Sequence, residues 1–167
     1  MATPARPVTG GAIALDWGQQ VHDDTFAPKG AHVSGPDTTN PAGAAQVKLA
    51  LDTAVDDPGA WLDNANDRLE VPADADGLYT YRIWIRTDEG AATDETRGYI
   101  RVNNVEVNRH TVGQEGSTAI PCVINGFLTL AEGDLITFYS SQIGSGTRAT
   151  VGVVSAYFVR IGRELGS

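Results

Sequence analysis

Beyond residue 44 apolar and polar residues alternate, and a period of two predicts β-strands. Val47, Leu49 and Leu51 take turns with Lys48, Ala50 and Asp52, the pattern of a strand with one face buried. Asp57-Pro58-Gly59 predicts a turn, and residues 69–71 a short strand stopped by Pro72. In the next strand Tyr79, Tyr81, Ile83 and Ile85 fall on one side, with Thr80, Arg82 and Arg86 on the other. Trp84 shares that polar side, which marks it as an exposed or interface residue. Residues 97–102 and 105–110 flank Asn103-Asn104, and asparagine tolerates the positive φ that a two-residue type I′ hairpin demands. Further strands are predicted at 118–124, 127–130, 135–141 and 149–161. About eight strands at short spacing, with no second helix, predict an all-β antiparallel sandwich of the jelly-roll kind.

Residues 1–43 follow another rule. Pro4, Pro7, Pro28, Pro36 and Pro41, with several glycines, interrupt any long element. Within this segment Ile13, Trp17 and Val21 recur every four residues, which places them on one side of a short helix. Leu15 lies off the stripe, and Gly18 costs about 1 kcal/mol of helix stability relative to alanine. Phe26 and Pro28 mark the end. So short a helix is marginal alone in water and must dock on something, either its own domain or a larger assembly. The chain therefore divides into an arm, 1–43, and a sandwich domain, 44–167.

The last strand is apolar on both faces. Strict alternation puts Val151, Val153, Tyr157, Val159 and Ile161 on one side and Val154, Ala156 and Phe158 on the other. A strand of this kind is buried twice, whereas an ordinary two-layer sandwich leaves one face of each sheet to water. Ile136, Phe138 and Tyr139 show the same habit. A neighbouring subunit in a closed threefold ring would cover the second face, and so would a loop or the arm itself.

Charge narrows the classes of partner. The chain has 167 residues and a net charge of −9, with 21 acidic against 12 basic side chains. That surface repels phosphate backbones, and no basic run with interleaved aromatics opposes it, so nucleic acid is excluded as a partner. At 41% apolar and 20% charged residues the composition is that of a globular chain. No apolar stretch approaches membrane-spanning length. The first residues lack an apolar signal core, so the expectation is a chain made in a cytoplasm and not secreted.

Candidate chemistry is sparse. Cys122 is the single cysteine and sits in an apolar run, which reads as a small buried hydrophobe. His22-Asp23-Asp24, the Asp63-Asn64 and Asn66-Asp67 pairs, and Asp74 with Asp76 carry oxygen ligands. However, the twelfth position counted from Asp74 is Ile85, where a calcium loop needs a bidentate glutamate. His32 and His110 have no partner in the sequence, Ser140 and Ser141 have no nucleophile elbow, and Gly144-Ser145-Gly146 is not a phosphate loop. One cysteine and three scattered histidines make no zinc site. The reading is a non-enzyme without cofactor or metal.

Three stretches carry a resemblance: Gly77-Leu78-Tyr79-Thr80-Tyr81, then Leu128-Thr129-Leu130-Ala131-Glu132-Gly133-Asp134, then the valine-rich run ending in Phe158. Together, over residues 66–162, they resemble the trimeric jelly rolls of the tumour necrosis factor and complement globular-head superfamily, with Tyr81 where phenylalanine is usual. The segment from Pro7 to Asp24 looks like the leader of virion structural proteins of phages that infect high-GC Gram-positive bacteria. These resemblances imply a homotrimeric knob on a virion, decorating the capsid exterior. The arm would dock through Ile13, Trp17, Val21 and Phe26 on the major capsid protein or another virion protein. The trimer would meet through Tyr139, Tyr157, Phe158 and Val159. The same resemblance extends to head fibres, and the alternative is a tail-associated protein (a minor tail protein or fibre tip) that grips host surface glycans through exposed Trp61 or Trp84.

Overall fold

The structure is a computed structural model that describes residues 30–40, 45–87, 95–113, 121–144 and 148–162. The predicted arm helix, with Ile13, Trp17, Val21 and Phe26, lies outside these residues, as does His22-Asp23-Asp24. The described strands are β1 (Gly30–Ser34), β2 (Thr38–Asn40), β3 (Val47–Lys48), β4 (Thr53–Asp56), β5 (Leu62–Asp63) and β6 (Arg68–Glu70). They continue as β7 (Gly77–Thr87), β8 (Glu95–Val102), β9 (Val105–Gly113), β10 (Cys122–Leu130), β11 (Leu135–Ile143) and β12 (Arg148–Gly162).

Two antiparallel six-stranded sheets result. The first runs β10-β7-β12-β1-β4, with β2 also on β12. The second runs β5-β6-β11-β8-β9, with β3 also on β11. The alternation of β7 selects the sides: Tyr79, Tyr81, Ile83 and Ile85 are buried, while Leu78, Arg82, Trp84 and Arg86 are exposed. Ile100, Ile136 and Phe138 face them from the second sheet within one core. Asn108 Nδ2 donates to the Tyr81 hydroxyl at 2.6 Å and so ties β9 to the first sheet.

Turn residues act as their chemistry requires. Asn103 and Asn104 have φ of 52° and 66°, the positive pair that the type I′ turn needs. Asp134 accepts from the Ala131 amide at 2.8 Å and from Asn103 Nδ2 at 2.7 Å. The Gly-Asp element therefore clasps the neighbouring hairpin, with Gly133 at φ 79° supplying the left-handed step.

Four expectations change. The segment expected as an arm, 1–43, contains sheet strands, because Gly30 to Val33 pair with β12 in register. Prolines and glycines on either side conceal this short strand in the sequence. The stretch from Val47 to Asp52 is a strand only at Val47–Lys48, though Leu49 and Leu51 are buried as their spacing implied. The predicted strands 118–124 and 127–130 join in one element over Cys122–Leu130, since Gly126 pairs with Tyr81 without a break; residues 118–120 lie outside the described ones. Finally, β12 is bulged: its register on β7 shifts between Val153 and Ser155. The extra residue turns Val153, Ala156 and Phe158 to the same inner face and leaves Ser155, Tyr157, Val159 and Ile161 outside.

Candidate functional site

The bulge decides which aromatic residues a partner can reach. Phe158 is 1% exposed, and its ring stacks on Tyr81 at 5.7 Å and meets Trp61 and Phe138 at 6.4 Å each. It is a core residue and not a trimer contact. Trp61 is 0% exposed and is likewise no ligand platform. The Asp57 carboxylate accepts from the Trp61 and Leu62 amides at 2.8 and 2.9 Å, folding the turn so that the indole enters the core edge-on to Tyr79, 5.3 Å away. Asp57 is turn chemistry, in the turn that its Asp-Pro-Gly run predicts.

Tyr157 and Val159 lie together on the outer face of the first sheet. Tyr139 lies on the outer face of the opposite sheet, under the Arg101 guanidinium at 4.4 Å. One patch cannot contain both tyrosines. Cys122 is buried and donates towards the His110 carbonyl at 3.5 Å; desolvation pushes its thiol up to about 11, so it is an inert core group.

On the outer face of the first sheet the registers build rows across the strands. Phe127, Thr80 and Val159 form one row. Asn125, Arg82, Tyr157 and His32 form the next, and Val123, Trp84 and Ser155 a third. Phe127 is 68% exposed, Tyr157 47% and Trp84 43%, with Leu78 and Ile161 exposed at one end. Large apolar side chains gathered on one exposed sheet face, here interleaved with Arg82, Asn125 and His32, mark an interaction site.

Within it His32, Arg82, Trp84, Ser155 and Tyr157 line a shallow pocket of about 290 Å³. His32 Nε2 lies 2.9 Å from Ser155 Oγ, and its ring meets Tyr157 edge-on at 5.8 Å. The pocket thus offers a guanidinium, hydroxyls and an indole wall, a set that binds hydrogen-bond acceptors. Among the described residues no group of three or more His, Cys, Asp or Glu side chains is placed to hold a metal ion. Sequence reasoning found Trp84, Tyr157 and Val159 here but missed His32, Arg82, Ser155 and Phe127. The β7 alternation already put Arg82 beside Trp84; His32 and Ser155 needed the β1–β12 pairing, which no local signal announces.

No family model matches the chain, and no curated protein matches it by sequence. Solved structures do. The globular domain of zebrafish complement 1qA protein superposes with a TM-score of 0.59 at 12% identity, covering 81% of this chain and 99% of that one. The fold is a tumour necrosis factor-like jelly roll. Murine APRIL gives 0.58 at 14% identity, covering 80% of this chain and 99% of its own. The Eiger tumour necrosis factor of S. frugiperda gives 0.52 at 12%, with coverages of 83% and 96%.

Proposed function

We propose that this tumour necrosis factor-like jelly roll is a virion structural protein, a homotrimeric knob on the capsid exterior held by the residues that precede β1. The observation that carries the trimer is the outer face of the first sheet, where Phe127, Trp84, Tyr157 and Ile161 stand exposed together. A closed threefold ring covers such a face once per subunit and leaves no open end for further growth. Support for the virion comes from the sequence: the leader-like segment 7–24 and its apolar stripe Ile13, Trp17, Val21, with Phe26 beyond. The large indole of Trp17 is the natural hot spot of such a stripe.

Capsids assembled without this chain, mixed with purified protein, provide the test. Wild type is expected to bind to saturation, whereas Trp17→Ala is expected to stay folded with unchanged mass and fail to attach. Full occupancy by that variant would end the arm assignment.

A second reading, a fibre tip that recognises host glycans, draws on the exposed Trp84 beside Arg82 and Tyr157. It expects glycan-array binding that Trp84→Ala abolishes. Capsid binding with no array signal would decide against it.

A further inference from the structure

We propose that the pocket of His32, Arg82, Trp84, Ser155 and Tyr157 receives a carboxylate side chain from the neighbouring copy of this chain. The proposal rests on the trimer reading and names the contact that sets its register.

Arg82 carries the argument. Arg68, Arg86, Arg97 and Arg109 each meet a carboxylate of their own chain. Arg101 bonds Gln46 and covers the Tyr139 ring, and Arg160 donates to the Asp74 carbonyl. Among the described residues Arg82 alone of this set has no ion pair or hydrogen bond, and it stands in the row with Asn125, Tyr157 and His32, flanked by Trp84. Covering the apolar face removes water from that guanidinium. A charge desolvated without a partner strongly opposes association, so a stable interface on this face has to bring an acceptor to Arg82.

The chemistry of the acceptor follows from the pocket and the chain. The guanidinium fork pairs best with the two oxygens of a carboxylate. The volume of about 290 Å³ is ample for a carboxylate side chain. The His32–Ser155 bond at 2.9 Å holds one wall in place, and Trp84 shields the ion pair from solvent. A second copy is rich in such groups, with 21 acidic side chains against 12 basic ones. Because an ion pair is directional where apolar contact is not, it specifies one docking register on the face.

Two measurements on the full chain test this. The first is the trimer dissociation constant by light scattering, for wild type and Arg82→Gln, at low and high salt. The second uses Arg82→Lys, prepared with light and heavy nitrogen, mixed and treated with a carbodiimide that joins an ammonium to a touching carboxylate. Arg82→Gln is expected to weaken the trimer by about ten-fold or more and to flatten its salt dependence. Arg82→Lys is expected to yield mixed-isotope peptides linking residue 82 to an Asp or Glu of another copy. A wild-type trimer whose Arg82→Gln variant dissociates at the same concentration, with no cross-link from residue 82 in Arg82→Lys, overturns the pocket proposal and leaves the trimer standing. A wild type that is monomeric at every concentration overturns both.

Discussion

Phe158→Ala separates the inner from the outer face of β12 most sharply, because its neighbour Tyr157 points the other way. The Phe158 ring is 1% exposed and packs within 5.7 Å of Tyr81 and 6.4 Å of both Trp61 and Phe138. Truncation leaves a cavity walled by three rigid rings, which cannot collapse to fill it. Buried phenylalanine to alanine costs about 3–5 kcal/mol, and the lost ring contacts put this site in the upper part of that range. With a urea slope of about 2 kcal/mol per molar, the midpoint falls by about 2 M. Tyr157→Ala, on the exposed side, opens no cavity in the subunit and is expected to keep the far-UV circular dichroism of the folded chain. The assay is urea unfolding followed by that signal, at one fixed protein concentration because association adds to apparent stability. A midpoint shift below about 0.5 M for Phe158→Ala would show that the ring is not in the core, and the bulge at Val153 and Ser155 would be misplaced.

The Asn103-Asn104 turn gives a backbone test: Asn104→Ala keeps a Cβ at φ 66° but loses the amide that eases a left-handed residue, and is expected to cost about 1 kcal/mol, while Asn104→Gly is tolerated. Equal midpoints for the alanine and glycine variants would contradict the turn type. Alkaline stability is the other. Burial raises the Cys122 thiol from 9.0 to about 11 and the Tyr79 phenol from 10.0 to about 12. Both hold their protons more tightly when folded, so their contribution is full below about pH 9 and is lost as pH rises through about 11 and 12. A two-unit shift corresponds to about 3 kcal/mol. The urea midpoint is therefore expected to drop above pH 9, less steeply in Cys122→Ala; parallel curves for the two proteins would refute the buried-thiol assignment.

Local patterns carried the fold wherever one element answers one period. The β7 alternation, the Asn-Asn hairpin and the Gly-Asp turn each encode their geometry in adjacent residues, and each is where the sequence puts it. What was not legible depends on pairing at a distance. β1 lies among prolines and glycines, and it is a strand through its register on β12, more than a hundred residues away, and on β4. The β12 bulge exchanges faces without leaving a mark in the apolar run, so Phe158 reads as outward until Ser155 is seen opposite Trp84. Trp61 misled for a related reason: Asp57 is a polar residue that serves to bury an aromatic one. The site was half visible, since Trp84, Tyr157 and Val159 follow from alternation, whereas the pocket itself needs β1, β7 and β12 side by side.

The solution mass of the intact chain, by light scattering across a dilution series, tests the central claim most directly. The expected result is three times the 17.6 kDa subunit mass, reverting to the subunit mass in a Tyr157→Asp variant that keeps its β-sheet spectrum. A wild-type mass of 17.6 kDa at all concentrations would contradict it, and the outer face of the first sheet would then require an occupant other than a second copy.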